Sequence, residues 1–344
     1  MNVYKNCLDL IKKECRSWLI TGVGGFIGSH LAQTLLLCQQ RVIGIDNFST
    51  GKQENIKEIE SSLSHQQREN FTFFSGDIRD REFCFRLSEG IDVILHQAAL
   101  ASVPTSIENP LMTHDVNVTG FLNILEAARK NNTRVVYASS SAIYGDASGL
   151  PKIETMPPAP LSPYGLTKLQ CEEYAALYTA LYNVHTIGLR YFNVFGPRQD
   201  PHGAYAAVIP AWINAYLTKK PALIYGDGEN TRDFCYIDNV VQANLLAATT
   251  KNKNAFGLSF NVAGGNHLSL NELSAIIDRI ISEKVRLSAT AEPNYLPSRP
   301  GDIRHSYASL AFAKRELGYS PIVNMREGLE RTIQWFAKKK KVAQ

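Results

Sequence analysis

The chain has 344 residues, 44% of them hydrophobic and 20% charged, and 36 Lys and Arg face 32 Asp and Glu for a formal net charge of +4. This composition excludes a disordered or collagen-like chain, and the scattered, mild positive charge excludes a nucleic-acid partner. No apolar run approaches the roughly 18 residues that a membrane helix needs, so no membrane span is expected, and the length suggests about two domains.

Val3, Cys7, Leu10 and Ile11 recur at helical spacing near the N-terminus, predicting a short amphipathic helix and not a signal peptide. Apolar, β-rich runs then alternate with helical patterns. Strands are predicted over 18–20, 41–46, 71–74, 91–96, 134–139 and 184–191, and helices over 26–38, 113–131 and 163–181. Continuous apolar strands separated by helices are what a parallel sheet covered on both faces requires, so the first domain, 1–190, reads as doubly wound α/β. Beyond it Pro197, Pro201, Pro210 and Pro221 interrupt shorter elements before helical patterns over 238–249, 270–283 and 325–337. The 191–344 half therefore reads as a smaller α/β domain completing a cleft, with some elements returning to the first. The run Lys338 to Lys341 reads as a solvated tail, and six widely spaced cysteines as reduced, mostly buried thiols. No His/Cys cluster has metal-ligand spacing, so no metal is expected, and the compartment reads as cytoplasmic.

Thr21-Gly22-Val23-Gly24-Gly25-Phe26-Ile27-Gly28 follows the first strand and opens the first long helix. Glycines there let the backbone approach a pyrophosphate, which the free N–H groups of the helix N-terminus favour. Asp46 ends the second strand 24 residues after Gly22, where a carboxylate accepts bonds from ribose hydroxyls and repels a 2′-phosphate. The cofactor is therefore expected to be NAD rather than NADP. Further on, Ser139-Ser140-Ser141 sits at the carboxyl edge of a strand, and Tyr164 and Lys168 lie four residues apart on one predicted helix face. A free phenol, with a pKa of about 10, is a poor base at neutral pH, and a nearby ammonium helps it ionise. Tyr-x-x-x-Lys alone is an ordinary amphipathic pair; its conjunction with the turn, the acid and the serines gives it weight.

Those motifs, with Gly76-Asp77-Ile78, His96-Gln97-Ala98-Ala99, Tyr191-Phe192-Asn193 and Arg232-Asp233-Phe234, resemble the extended short-chain dehydrogenase/reductases that act on nucleotide sugars. The resemblance runs from about Trp18 to Trp335 and looks strongest toward the bacterial UDP-N-acetylglucosamine 4-epimerases of surface-polysaccharide pathways. It implies a Rossmann domain, bound NAD, a UDP-sugar substrate and C4 epimerisation through a 4-keto sugar. It also implies that Tyr164 is the base, assisted by Ser140 and Ser141, with Lys168 on the nicotinamide ribose. NAD contacts implied are Gly22, Gly25, Phe26, Ile27, Asp46, Asn47, Ser49, Thr50, Gly51, Asp77, Ile78, Gln97, Tyr164 and Lys168. The segment from Ser140 to Gly145 lacks the carboxylates that sugar-nucleotide dehydratases and decarboxylating relatives place there.

On the substrate side the resemblance implies Arg232 and Arg299 for the diphosphate, Asn193 for the sugar–phosphate region, Ala207, Val208 and Tyr225 around uracil and ribose, and Asp302 beside Arg299. Ser306 falls where galactose-restricted relatives carry a bulky Tyr, leaving room and a hydroxyl for a 2-acetamido group; Ala101-Ser102 replaces a Lys-containing loop. Rival expectations are UDP-glucuronate or its N-acetylated acid, with Arg198 as the candidate carboxylate partner, the UDP-glucose/UDP-galactose pair, and an idle NAD-binding subunit. A homodimer is expected through the helices near Thr113 to Asn131 and Pro163 to Leu181.

Overall fold

The computed structural model describes residues 3–202, 207–285, 292–298 and 303–342. Its centre is the expected doubly wound sheet. The strands are β1 (Ser17–Thr21), β2 (Arg41–Asp46), β3 (Phe71–Ser75), β4 (Val93–His96), β5 (Arg134–Ser140), β6 (Thr186–Tyr191) and, later, β11 (Leu258–Val262). All run parallel, in the order β11-β6-β5-β4-β1-β2-β3. The order reverses between β1 and β4, and the carboxyl ends on either side of that reversal open the crevice where such sheets bind ligands.

Alternation within the strands explains why both faces are covered. Trp18 and Ile20 point into one core, Leu19 into the other, and all three are fully buried. The first face is roofed by α2 (Phe26–Leu37), α3 (Gln53–Ser61) and α11 (Ile237–Thr249). The opposite face is roofed by α5 (Arg81–Leu87), α8 (Gly120–Asn131) and α9 (Pro163–Tyr182); α4 (His65–Glu69) leads into the edge strand β3. Helix α9 starts where Ser162 caps the Gly165 N–H and Pro163 takes the first position, and it stops at Asn183 in the left-handed region. The N-terminal helix α1 (Val3–Lys13) buries Cys7 and Ile11 and reaches α11 through Cys7 Sγ and Thr249 Oγ1, 3.3 Å apart.

The predicted helix over 113–131 is three pieces: α7 (Pro110–His114), a π-helical turn (Asp115–Thr119) and α8, preceded by α6 (Val103–Glu108). The remaining elements follow β6 in the chain. They are β7 (Val194–Phe195), α10 (Val208–Leu217), β8 (Leu223–Tyr225), β9 (Thr231–Asp233), β10 (Cys235–Tyr236), β12 (His267–Ser269), α12 (Leu270–Ile280), β13 (Asn294–Leu296), β14 (His305–Ser306), α13 (Ala311–Leu317) and α14 (Met325–Val342). They pair as β10-β7, β12-β9-β14 and β13-β8. Strand β11 returns to the main sheet beside β6, with α11 packed beneath it.

One sequence expectation is corrected here. Lys338 to Lys341 are not an unstructured tail but the last turns of α14, with Lys338 and Lys339 still exposed. Lys339 Nζ lies 2.9 Å from Glu58 Oε2 and over the Trp335 ring, and Lys340 Nζ donates to the Leu217 carbonyl. Their aliphatic stems cover apolar surface while the ammonium groups find partners. Of the six cysteines, all unpaired, five are buried and Cys15 is exposed. No helix among the described residues is long and apolar enough to cross a membrane.

Candidate active site

A groove open to solvent follows the switch point of the sheet. It is lined by Gly22 and Gly25 after β1, Asp46, Asn47, Ser49, Thr50 and Gly51 after β2, Gly76, Asp77 and Ile78 after β3, and Gln97, Ala98 and Ala99 after β4. Most of the residues expected to hold NAD thus lie on one surface. Ile45, Gly76, Ala98, Ala99 and Val116 join them without having been singled out, although Gly76, Ala98 and Ala99 stood inside motifs already quoted.

The turn fits a pyrophosphate for two structural reasons. Gly22 has φ +71°, and a Cβ there would lie 2.8 Å from the Ala98 backbone nitrogen. Helix α2 begins at Gly25 with no side chain capping it, so its first N–H groups are offered to an anion. Asp46 braces the same turn: Oδ2 accepts the Gly24 N–H at 2.9 Å and Oδ1 the Phe48 N–H at 2.8 Å. Burial pushes its carboxyl up and these backbone donors pull it back. The residues present fit NAD.

The groove floor is held by Thr21. Its Oγ1 accepts the Gln97 and Ala98 N–H groups at 3.2 Å, so its own proton goes to His96 Nδ1 at 2.8 Å. Burial, helped by the Lys168 charge, pushes His96 down to about 3, which keeps the ring neutral.

Asp77 is held in place by its neighbours. Arg79 grips both of its oxygens at 2.8 and 3.0 Å, and Asn47 Nδ2 donates to Oδ2 at 2.8 Å. The Arg79 bonds come first among the causes that hold the Asp77 carboxyl at about 2. A carboxylate depressed in the folded state contributes stability above its unfolded pKa and loses it as pH falls through the folded one. Arg79→Ala should cost about 0.5–1 kcal/mol at pH 7, the scale of a half-exposed pair, and the difference from wild type should shrink from pH 4 toward pH 2. Urea titrations across that range would show it; a pH-independent difference would contradict the assignment.

The second cluster stands at the end of β5. Tyr164 and Lys168, both buried, occupy the first turns of α9. Lys168 Nζ donates to the Ala138 carbonyl at 2.8 Å and lies 5.9 Å from the Tyr164 ring centre. The Tyr164 N–H is taken by Ser106 Oγ of α6 at 3.1 Å. Asn117 ties Thr167 of α9 to Leu100, bonding both backbone groups of the latter. Sequence reasoning passed over Ser106 and Asn117, because a buried Ser or Asn carries no motif. Ser140 Oγ accepts the Ala142 N–H at 3.1 Å and starts the tight turn Ser141–Tyr144. Ile143 and Tyr144 pack with Phe192, Ala263 and Ala308, which lie next to or near Asn193, the 264–266 loop and Ser306.

Strand β9 gathers part of the expected substrate set. Arg232 pairs in register with Ser306 of β14, and its Nη1 donates to the Thr231 and Arg304 carbonyls. Asn193, held at φ +30°, donates through Nδ2 to the Asp233 carbonyl at 3.1 Å. Tyr225 lies on β8 opposite Leu296, Ala207 precedes α10 and Val208 opens it. Arg299 and Asp302 lie outside the described residues. Ala101 is exposed, and Ser102 is the N-cap of α6, its Oγ accepting the Thr105 N–H at 3.2 Å. Arg198, the candidate carboxylate partner, is buried: its Nε bonds Glu58 Oε1 at 3.0 Å and its Nη2 bonds Gln33 Oε1 at 2.8 Å.

Comparison with known proteins now bears on this geometry. The model of the NAD dependent epimerase/dehydratase family matches residues 18–263. The UDP-glucose 4-epimerase of Mycolicibacterium smegmatis is 36% identical over 324 residues, 93% of this chain and 98% of that one. A UDP-N-acetylglucosamine 4-epimerase of Methanobrevibacter ruminantium, solved with UDP-N-acetylmuramic acid, superposes with a TM-score of 0.86 at 36% identity, covering 95% of this chain and 99% of that one. A UDP-glucuronic acid 4-epimerase of Bacillus cereus, solved with UDP-glucuronic acid and NAD, gives 0.81 at 34%, covering 94% and 99%.

Proposed function

The chain belongs to the NAD dependent epimerase/dehydratase family, and from that footing we propose that it is a UDP-sugar 4-epimerase whose preferred pair is UDP-GlcNAc and UDP-GalNAc. Its cofactor is NAD, which when bound supplies a hydride acceptor and donor. The observation that carries the reading is the buried Tyr164–Lys168 pair beside a strand edge whose turn, 140–145, holds no carboxylate. Such a site can move a proton at a hydroxyl but has no acid–base pair for elimination. Tyr164 takes and returns the proton of the C4 hydroxyl, Lys168 places a positive charge beside it, and Ser140, with Ser141 next to it, bonds the C4 oxygen. The division of labour follows the sequence: residues 1–190 serve the cofactor, and 191–344 mainly the UDP-sugar.

The acetamido preference rests on Ser306. Its in-register pairing with Arg232 supports placing a small hydroxyl near the group that meets the diphosphate. Arg198, the cation a uronate site would have drawn on, is buried with its Nε on Glu58 and its Nη2 on Gln33, which weighs against a C6 carboxylate. Purified protein should be assayed for kcat/KM on UDP-GalNAc, UDP-galactose and UDP-glucuronate. The N-acetylated sugar is expected to lead, and Ser306→Tyr should lower its kcat/KM by about 10²-fold while sparing UDP-galactose. A lead for glucuronate, or a Ser306→Tyr variant that treats both neutral sugars alike, would remove this assignment.

A homodimer is part of the same reading. Leu166, Leu177 and Leu181 are exposed on α9, and Ile107, Leu111 and Met112 on α6 and α7. Of the two expected helices, α9 carries exposed apolar side chains and α8 carries no large one among the described residues, so α6 and α7 are the surface we pair with α9. A face of this kind seeks a partner, and a second copy supplies the matching one. Sedimentation velocity at micromolar concentration should give twice the chain mass; a monomer would exclude the dimer.

A further inference from the structure

Glu172 and Arg190 have no place in the proton or cofactor chemistry, yet they form a buried charge pair, 9% and 8% exposed, directly behind it. Glu172 lies one helical turn beyond Lys168 on α9 and takes the Ser139 hydroxyl on Oε1. Arg190, from β6, grips both Glu172 oxygens, Nε to Oε1 at 2.9 Å and Nη2 to Oε2 at 2.7 Å. Its Nη1 then donates to the Tyr144 hydroxyl at 2.8 Å, and that hydroxyl donates to Asn261 Oδ1 at 2.7 Å.

This connectivity encloses the reacting groups. Ser139 and Tyr144 flank Ser140 and Ser141, so the pair holds the serine turn at both ends. Lys168 and Glu172 are successive contacts of α9 on β5, one to the Ala138 carbonyl and the next to the Ser139 hydroxyl. Desolvating two charges is costly, and apolar packing can match or exceed such a pair in stability. What an apolar replacement lacks is direction: a two-pronged guanidinium–carboxylate contact fixes orientation as well as distance. We propose that Glu172 and Arg190 are positioning residues that set the register between Tyr164–Lys168 on α9 and Ser140–Ser141 on β5. The inference rests on the epimerase reading above.

The test compares wild type with Glu172→Gln, Arg190→Lys and Ser139→Ala, each loaded with NAD and assayed well below its unfolding temperature. Glu172→Gln turns an amide N–H₂ against the guanidinium and should lower kcat about 10–100-fold, with KM changed less than about threefold. The limb of the kcat–pH profile that reports the base should also move to higher pH, because Lys168 is no longer held in place. Arg190→Lys keeps the charge but loses the fork and should retain only part of the wild-type rate. A purely structural pair would lower the melting temperature and leave kcat and its pH profile, per folded site, as in wild type; that result overturns the inference. If Glu172→Gln fails to fold, Ser139→Ala decides, since it removes one bond without touching a charge. It should lower kcat about 3–10-fold and move the same limb, and an unchanged profile overturns the proposal. A wild type without turnover on any UDP-hexose overturns the epimerase reading and this inference with it; turnover with unaffected variants overturns the inference alone.

Discussion

Tyr164→Phe should lower kcat by about 10³-fold, roughly 4 kcal/mol of transition-state stabilisation, while leaving NAD content and KM close to wild type. The reasoning is local. The substitution removes one hydroxyl and nothing that holds the helix: the Tyr164 N–H still reaches Ser106 Oγ, and Lys168 still donates to the Ala138 carbonyl. The ring keeps its buried place at the start of α9. Only the atom proposed to take the proton from the sugar hydroxyl is lost, and a loss confined to the transition state appears in kcat. Steady-state kinetics with chromatographic separation of the two hexosamines would measure it. A variant within tenfold of wild type would show that another group is the base.

Gly28→Ala should strip the protein of NAD and cost about 3 kcal/mol of stability, the upper end for overpacking. Gly28 is the third residue of α2, and a Cβ on it would stand 2.2 Å from the Gly22 carbonyl oxygen, 2.8 Å from its carbon and 3.0 Å from Val23 Cα. Those atoms are backbone of the phosphate-binding turn itself, so relief requires the helix to move off the turn. Gly24→Ala is the informative contrast. Its Cβ would meet Phe48 Cε1 at 2.9 Å and Asp46 Oδ2 at 3.2 Å, both side-chain atoms, of which the ring tip can turn aside. Absorbance of released cofactor and urea unfolding, read on both variants, separate the cases. Equal NAD content in the two would contradict the geometry.

The parts of the fold that could be read from sequence are those where one short segment states its own surroundings. Strands β1, β2, β4, β5 and β6 are near-continuous apolar runs because both faces of the sheet are covered, and their positions were read to within a few residues. The Gly-rich turn and Asp46 were legible for the same reason: the backbone freedom and the carboxylate each act within their own loop. Helix α10 was missed because Pro210 was read as an interruption, although it stands in the first turn, where a missing N–H breaks no helical bond. Helix α3 was missed because its nine residues bury only Asn55, Ile56 and Ile59, too short a stripe to register. Strand 184–191 begins later than read, at Thr186, because Asn183 ends α9 in the left-handed region and two residues are needed to enter the sheet.

The site divides along the same line. Tyr164, Lys168 and Ser140 were recognisable as a spaced motif, whereas the groups that hold them are scattered. Ser106 precedes Tyr164 by 58 residues, and Glu172 meets Ser139 and Arg190 across three elements. Arg198 is the clearest case, since the partners that bury it, Glu58 and Gln33, stand 140 and 165 residues away. A cation beside Pro197 in a loop carries no local sign of such a pairing, and only the packed chain reveals it.

The central claim is transient oxidation at C4 by NAD that never leaves the protein. It is tested most directly by supplying UDP-GalNAc deuterated at C4 to the purified protein with no added nucleotide. The account predicts UDP-GlcNAc that carries the deuterium at C4, because a hydride held by bound NAD would have only the same sugar to return to. Product that has exchanged its C4 label for solvent hydrogen would contradict the account, and so would an absence of any hexosamine interconversion after NAD is added.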